Sequence, residues 1–219
     1  MLIQQLLRFF FPPKCAFCKQ LLEKEETDLC HHCRKNAPVF PSEKNRFSFL
    51  ARWTSVWYYK DDVRNSLLRF KFGRYRSYSA FYGRQLALRL IDCQMDTFDL
   101  LTWIPISGRR RFRRGFDQAQ LLAEALGQEL GVQPVRLLKR VRHTPPQSRL
   151  KSPELRRANI SGAYTVTDFD AIAGKRILLV DDILTTGSTA LECARTLLSA
   201  GAGEVWCAVM ASAGRSPKK

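Results

Sequence analysis

The chain has 219 residues, of which 45% are hydrophobic, enough for one medium-sized globular domain with a small appendage. This composition excludes a disordered or fibrous protein, and no low-complexity run or internal repeat stands out. Thirty-six Lys and Arg against 20 Asp and Glu give a net charge of +16. An enzyme of small metabolites does not need that excess, so one interpretation of the charge is a polyanionic partner.

The first eleven residues are apolar enough to raise the question of a signal peptide. They lack a basic amino-terminal flank and an Ala-x-Ala-like cleavage site, and they are too short to span a bilayer. The pattern favours a short helix packed on the protein over shallow membrane contact. No other stretch is long and apolar enough to cross a membrane, so the sequence predicts a cytoplasmic protein without an integral membrane segment.

Four of the seven cysteines form two close pairs, Cys15 with Cys18 and Cys30 with Cys33, and 11 residues separate the pairs. This spacing lets two tight turns each present two sulfurs to one tetrahedral zinc ion. The charged run between the pairs could not fold by itself, so a structural Zn²⁺ would supply its stability. A disulfide pair or a redox motif is the alternative, and the two histidines inside the second pair could substitute as ligands.

Pro38 and Pro41 mark a connecting segment that leaves the metal module. The predicted organisation is therefore an amino-terminal unit of residues 1–45, which holds the apolar helix and the zinc module, and a larger domain of residues 46–219. The three remaining cysteines are single and fall within apolar patterns, which are typical of small core residues.

The larger domain begins with a predicted strand over Trp53–Tyr59 and a helix that follows it. Asp61 or Asp62 would cap that helix, which extends as far as Phe70. Lys71 comes next, in a Lys–Phe–Gly sequence that closes a helix with a basic residue and a glycine.

A run of arginines follows the next predicted strand, Leu100–Ile106. Five of the six residues from Arg109 to Arg114 are arginine, and a helix with one apolar face comes after them. A solvated basic loop is the usual interpretation of a charge run. So many like charges between a strand and a helix would nevertheless repel one another without an anion, which favours a phosphate-facing role.

Positive charge is concentrated in the middle of the chain. From Arg64 to Arg157 there are 20 basic and seven acidic residues, an excess of 13 out of the net +16. Such a concentration is typical of a surface that binds phosphates, either of one ligand or of a polynucleotide. The residues assigned to this basic surface are Lys71, Arg111, Arg113, Arg114, Arg149, Arg156 and Arg157.

The strongest motif of the chain is the segment Arg176–Thr189. Four apolar residues, Ile177–Val180, predict a strand buried on both faces, and Asp181 and Asp182 follow where that strand would end. A short hydroxyl-rich loop and a helix over Thr189–Ala200 come next. In open α/β sheets, ligands bind at the carboxyl ends of the strands, so this strand–loop–helix order predicts a binding site.

The residue types of this segment suit a phosphorylated ribose. The loop leaves backbone N–H groups and hydroxyls available to a phosphate, the helix dipole favours an anion, and Gly187 permits close approach to the backbone. Carboxylates repel a phosphate, but they can accept hydrogen bonds from ribose hydroxyls, directly or through Mg²⁺ and its waters. The predicted binding residues are Asp181, Asp182, Thr185, Thr186, Gly187, Ser188 and Thr189.

The sequence Val180–Thr189 resembles the signature with which type I phosphoribosyltransferases bind phosphoribosyl pyrophosphate (PRPP). The resemblance implies their fold, a doubly wound and mostly parallel α/β sheet, here with a small four-cysteine zinc module at its amino terminus. Any doubly wound protein has a polar loop between strand and helix, but agreement over ten consecutive residues argues against that alternative. The resemblance also implies that a loop after an earlier strand holds pyrophosphate. In this chain that loop would consist of Ser107, Gly108, Arg109 and Arg110.

Over essentially its full length the chain resembles the ComF (competence protein F) family. Beside the four cysteines and the PRPP-type signature, the resemblance rests on Lys71–Gly73, Trp103–Ser107, Arg113–Gln118, Gln147, Arg149, Arg157 and Asn159. One departure is Asp117, where the family usually has Asn. An acid at this position would weaken a contact with an anion.

The resemblance implies a role in the uptake or utilisation of external DNA in bacterial transformation, with single-stranded DNA and DNA-uptake or DNA-processing proteins as partners. The favoured hypothesis is a PRPP-binding factor that contacts DNA without necessarily transferring anything, because no hood over a nucleobase follows the last strand. The alternative is an active phosphoribosyltransferase with an unidentified acceptor and no assigned catalytic residue. In that enzyme Mg²⁺ and the Ser107–Arg110 loop would hold pyrophosphate while Asp181 and Asp182 fix the ribose.

Overall fold

The computed structural model describes residues 12–41, 47–73, 75–142 and 158–214. The predicted boundary between residues 45 and 46 and the apolar segment 1–11 lie outside the described residues. Within those residues, no helix is long and apolar enough to cross a membrane. The helices and strands, in chain order, are α1 (His31–Asn36), β1 (Arg52–Tyr58), α2 (Asp61–Phe72), α3 (Tyr78–Asp92), β2 (Leu100–Trp103), α4 (Gly108–Arg114), α5 (Gln118–Leu130), β3 (Leu138–Arg140), β4 (Tyr164–Val166), β5 (Arg176–Leu184), α6 (Ser188–Ser199) and β6 (Glu204–Ser212).

The main sheet consists of parallel strands in the order β1–β6–β5–β2. Alternate residues of β5 point to opposite faces and enter two different clusters of buried side chains. Leu178 and Val180 pack with residues of α3 and α5, whereas Ile177 and Leu179 pack with residues of α6. A parallel strand buried on both faces reads as a continuous apolar run, as this one does. The predicted doubly wound, mostly parallel α/β sheet is therefore confirmed.

Strand β5 is longer than predicted and β2 is shorter, and the pairing between strands explains both differences. The pairing of β2 with β5 ends where Trp103 lies opposite Val180, so β2 stops before Ile106. Strand β6 continues to pair with β5 as far as Leu184. Asp181 and Asp182 therefore lie within β5, just beyond the end of β2, rather than after the strand.

Helix α2 begins with two acidic residues but is not capped by them. Its N-cap position is Lys60, whose side chain makes no capping hydrogen bond, so the predicted cap by Asp61 or Asp62 is wrong. Both acids lie in the first turn, where their charge interacts favourably with the helix dipole. The helix continues to Phe72 and thus includes Lys71.

The first cysteine turn packs directly against the main domain. Phe17, which lies between the cysteines of the first pair, is buried, and its ring centroid is 5.1 Å from that of Trp57 on β1. Helix α2 supplies donors to the carbonyl groups of this turn. Ser66 Oγ lies 2.6 Å from the Ala16 oxygen, and Arg69 Nη2 donates to the Ala16 and Phe17 oxygens over 2.9 and 2.5 Å. The turn and α2 thus form one buried unit.

We predict that replacing Arg69 with methionine lowers the free energy of unfolding by about 1.5–3 kcal/mol, the usual contribution of hydrogen bonds to a charged group. Methionine keeps much of the packed volume but leaves two buried carbonyl groups without this donor. The matched control is Arg64→Met on the exposed side of the same helix, which should change stability by no more than about 0.5 kcal/mol. Urea denaturation of the zinc-loaded protein measures both, and equal stabilities of the two variants would contradict the prediction.

Candidate PRPP site and zinc centre

A cleft of about 620 Å³ lies at the carboxyl end of β5. Strand β5, the turn before α6 and helices α2, α4 and α5 contribute to its wall, and β3 and β4 add one residue each. The predicted PRPP-binding residues that line it are Asp181, Asp182, Thr185, Gly187, Ser188 and Thr189. Thr186 does not line the cleft. Its hydroxyl lies 2.9 Å from the Ser188 hydroxyl, a contact within the turn itself.

Gly187 is required by the shape of the turn. Its φ of +76° lies in the left-handed region, which residues with a Cβ rarely adopt. A Cβ atom at this position would also lie 3.3 Å from the ring of Phe47, closer than nearly all such contacts. The residue precedes α6, so the first N–H groups of that helix face the cleft, where an anion is favoured.

The two carboxylates have different environments. Asp182 is buried and forms an ion pair with Lys71, whose Nζ lies 2.9 Å from Oδ2 and 3.1 Å from Oδ1. Asp181 Oδ1 accepts a hydrogen bond of 2.8 Å from the backbone N–H of Asp182. Lys71 was predicted to belong to a nucleic-acid surface, but the structure places its ammonium group inside the cleft because α2 ends against β5.

Burial raises the pKa of Asp181 well above its usual range, and the negative charge of Asp182 raises it further, while Lys71 opposes this shift. Perturbed carboxylates of this kind, held in a cleft by burial and a specific charge partner, are typical of functional sites. The charged form of Asp181 is thus disfavoured until a hydroxyl donor or a cation compensates it.

We predict that Asp181→Asn makes the ligand-free protein more stable at neutral pH. A raised folded-state pKa contributes stability that is fully present below the unfolded value, about 3.9, and is lost as the pH rises through the folded value. Asparagine keeps the acceptor for the Asp182 N–H and cannot ionise. The difference in unfolding free energy between variant and wild type should therefore grow from acid to neutral pH. Urea denaturation at a series of pH values measures it, and a variant that is less stable than wild type at pH 7 would contradict the assignment.

The residues predicted to form a pyrophosphate loop form the start of a helix. Ser107 is the N-cap of α4, and its hydroxyl accepts a hydrogen bond of 3.4 Å from the Arg110 backbone N–H. Helix α4 then continues through Arg114 and ends at Gly115, whose φ is +79°. An irregular loop over Ser107–Arg110 was the expectation; the serine cap explains why the chain turns helical here instead.

Helical periodicity divides the arginines of α4 between two environments. Arg110 and Arg114, four residues apart, are half-buried and line the cleft together with Arg113. Arg109 and Arg111 are exposed and do not line it. Burial lowers the pKa of Arg110, and the neighbouring Arg140 lowers it further.

This division differs from the prediction at three positions, Arg109, Arg114 and Arg113, the last of which was assigned to nucleic acid and also lines the cleft. Arg109 was assigned to pyrophosphate and faces away from the cleft, whereas Arg114 was assigned to nucleic acid and lines the cleft. The guanidinium group of Arg114 lies 4.8 Å from the centroid of the Phe72 ring and donates to Gln118 Oε1 over 2.8 Å. The remaining residues assigned to the basic surface, Arg149, Arg156 and Arg157, lie outside the described residues.

Arg140 on β3 and Tyr164 on β4 are among the residues of the cleft that sequence reasoning missed. The two residues lie opposite each other in an antiparallel ladder, and Arg140 Nη1 donates to the Tyr164 hydroxyl over 3.0 Å. Both side chains line the cleft. A long stretch of chain separates Arg140 from Tyr164, so no local pattern indicated the pairing.

Asp117 is turned toward the backbone rather than toward an anion. One carboxylate oxygen accepts from the Ala119 and Gln120 N–H groups, at 3.1 and 3.4 Å, and caps α5. The other accepts from the Ile106 N–H at 3.0 Å and so fixes the segment that leaves β2. Both oxygens are therefore engaged inside the protein, and the weakening of an anion contact by this acid stays a prediction.

The geometry of the four cysteines fits a structural zinc ion. Their sulfur atoms lie within 4.8 Å of one another, and the Cys18 and Cys30 sulfurs are 3.7 Å apart. A tetrahedral zinc site with Zn–S bonds of about 2.3 Å has S–S edges of about 3.8 Å, close to this distance. None of the seven cysteines forms a disulfide in the structure, so the predicted alternative of a disulfide is not adopted. Burial opposes ionisation of Cys15, but backbone hydrogen bonds, led by that of Cys30, lower its pKa to about 7.

Known proteins share both parts of the chain. The phosphoribosyl transferase domain model matches residues 113–219, and the double zinc ribbon domain model matches residues 6–44. These matches confirm the predicted fold of the larger domain and support structural zinc in the amino-terminal module. The carboxylate pair lies within the first of these ranges, and the four cysteines lie within the second.

Two curated relatives align with most of the chain. It is 30% identical over 204 residues to the DNA utilization protein YhgH of Salmonella typhi, with 88% of each chain covered. It is 27% identical to competence protein F of Haemophilus influenzae, with 90% of this chain and 95% of that one covered. Among solved structures, the glutamine PRPP amidotransferase from B. subtilis is similar, with a TM-score of 0.46 and 19% identity over 65% of this chain and 30% of that one.

Proposed function

Because this chain belongs to the ComF family, with competence protein F and the DNA utilization proteins, we propose that it acts in the uptake or utilisation of external DNA. We propose in addition that it binds PRPP in the cleft and single-stranded DNA on an adjacent basic surface. A cytoplasmic location, where incoming strands would reach it, is part of this proposal. The observation that carries the PRPP assignment is one cleft that combines a carboxylate pair, a glycine turn before a helix and several arginines.

Each part of PRPP has a chemical counterpart in the cleft. The 5′-phosphate would bind the N–H groups and hydroxyls of residues 185–189 at the start of α6. The ribose hydroxyls would donate to Asp181 and Asp182, which cannot face a phosphate. The pyrophosphate would lie on the opposite side, against Arg110 and Arg114, where guanidinium groups match phosphate oxygens. Mg²⁺ would be held by the pyrophosphate oxygens and, through water, by the carboxylates, and it would neutralise part of the phosphate charge.

We predict that Asp181→Asn combined with Asp182→Asn weakens PRPP binding, measured by calorimetry with Mg²⁺ present, by about 100-fold or more. The estimate takes two lost hydrogen bonds to charged acceptors at about 1.5 kcal/mol each. The matched control is Asp168→Asn with Asp170→Asn, which removes the same charge at exposed positions that do not line the cleft. The control should bind PRPP as wild type does. Unchanged affinity in the cleft variant would contradict the PRPP assignment.

An active phosphoribosyltransferase is the second candidate function, and one feature of the cleft favours it. Beside Asp182 the wall is apolar and aromatic, which suits a planar acceptor. The residues that form this part are Tyr59, Leu68, Phe72 and Ile183. Release of pyrophosphate from PRPP in the presence of a nucleobase, lost in the Asp181 and Asp182 double variant, would support this function. Binding of PRPP without such release across a panel of nucleobases would support the binding factor.

The DNA-binding part of the proposal depends on the exposed arginines of α4. We predict that Arg109→Gln with Arg111→Gln weakens binding of a single-stranded oligonucleotide and reduces the log–log salt slope by about 1.4, since each phosphate contact contributes about 0.7. PRPP affinity should stay unchanged. The matched pair Arg110→Gln with Arg114→Gln removes equal charge from the same helix but should mainly weaken PRPP binding.

Fluorescence anisotropy at several salt concentrations measures the affinity for the oligonucleotide, and calorimetry measures the affinity for PRPP. If both pairs of substitutions affected both ligands equally, the assignment of Arg110 and Arg114 to PRPP and of Arg109 and Arg111 to DNA would be wrong. If the wild-type protein bound no single strand at low salt, the DNA-binding part of the proposal would be wrong.

A further inference from the structure

Phe112 is the most exposed of the large hydrophobic residues in the described part of the chain. The residue is 92% exposed, whereas Leu88, the next, is 62% exposed. A phenylalanine ring so far out of the core makes no packing contribution to the fold, and an aromatic ring in water is costly. The side chain therefore calls for an explanation outside the folded chain.

The helix that carries Phe112 presents the ring from a fixed base. Ser107 caps its start, the Gly115 N–H donates to the Arg111 carbonyl over 2.7 Å at its end, and Arg114 bonds to Gln118. A platform whose backbone is already ordered loses less conformational entropy when it binds a partner. The ring is thus placed for binding a partner, although its position adds no packing to the fold.

Three cationic residues lie close to Phe112 in its helix. Arg111 and Arg113 flank it in sequence, and Arg109 lies one helical turn before it; all three are exposed. The chain contains a natural contrast in Phe169, which is 59% exposed but has Asp168 and Asp170 on either side. The two exposed rings therefore suit different partners. Of the two, the surroundings of Phe112 are complementary to an anion and those of Phe169 are not.

We infer that Phe112 stacks on a base of a single-stranded nucleic acid whose phosphates lie on Arg109, Arg111 and Arg113. This inference rests on the DNA binding proposed above and adds the mode of contact. A single strand combines the two properties that the surface requires, a flat apolar face and regularly spaced negative charge. A duplex offers no free base face, because its bases are paired and stacked. Arg113 also lines the cleft, so the strand would pass along the rim of the PRPP site.

The test compares Phe112→Ala with Phe169→Ala on two oligonucleotides, one of thymidines and one of equal length with abasic positions. Stacking on an aromatic side chain contributes about 1–3 kcal/mol per base, so Phe112→Ala should weaken binding of the thymidine strand by at least about 5-fold. Binding of the abasic strand and the salt slope should not change, because no phosphate contact is lost. Phe112→Trp should restore binding, and Phe169→Ala should behave as wild type.

The outcomes separate this inference from the proposed function. If wild type binds the thymidine strand and Phe112→Ala binds it equally well, the stacking contact is wrong while the proposed DNA binding stands. If wild type binds neither strand at low salt, the proposed DNA binding fails first. If Phe112→Ala loses affinity only for vesicles with anionic lipids, the surface contacts a membrane and the inference is overturned. Unchanged thermal unfolding of each variant shows that it is folded.

Discussion

The cleft depends on the ion pair between Lys71 and Asp182. Two residues before Lys71, helix α2 also carries Arg69, which donates to the Ala16 and Phe17 carbonyl oxygens of the first cysteine turn. One rigid element therefore connects the zinc-binding turn to the carboxylate pair. A structural metal at the amino terminus would thus fix more than its own segment, because any shift of the turn would move α2 and, with it, the cation that compensates a buried acid.

The charges of the two acids are compensated in different ways. A buried charge is tolerated when a partner and hydrogen bonds compensate it, and Asp182 has such a partner in Lys71. Asp181 is held by the Asp182 N–H, while burial and its neighbour raise its pKa. Ribose hydroxyls, or a hydrated cation, would supply the compensating hydrogen bonds or positive charge for Asp181 that Lys71 supplies for Asp182. An apolar environment alone would strongly disfavour two ionised carboxylates. A cleft that holds both is therefore suited to such donors.

Local sequence predicted the parts of the site that are contiguous in the chain. It did not predict the features whose conformation depends on contacts with distant residues. The carboxylates, the turn at Gly187 and the zinc ligands follow from short motifs whose backbone is determined nearby. The end of β5 depends on how far β6 pairs with it, and the contact of Arg140 with Tyr164 depends on a ladder across a long insertion. Whether Arg109 or Arg114 lines the cleft depends on helix α4, which was not predicted because the family resemblance implied a loop over Ser107–Arg110.

Arg109 and Arg111 share one short helix with Arg110 and Arg114, and the width of a helix is about 10 Å. That distance is similar to the Debye length at 0.1 M ionic strength, so these charges still interact at lower salt. An anion bound to Arg110 and Arg114 reduces the positive potential that attracts a second anion to Arg109 and Arg111. PRPP and a nucleic-acid strand would therefore weaken each other's binding at low salt, through charge alone. As the salt concentration rises above 0.1 M, this coupling should become progressively weaker because the charges are screened.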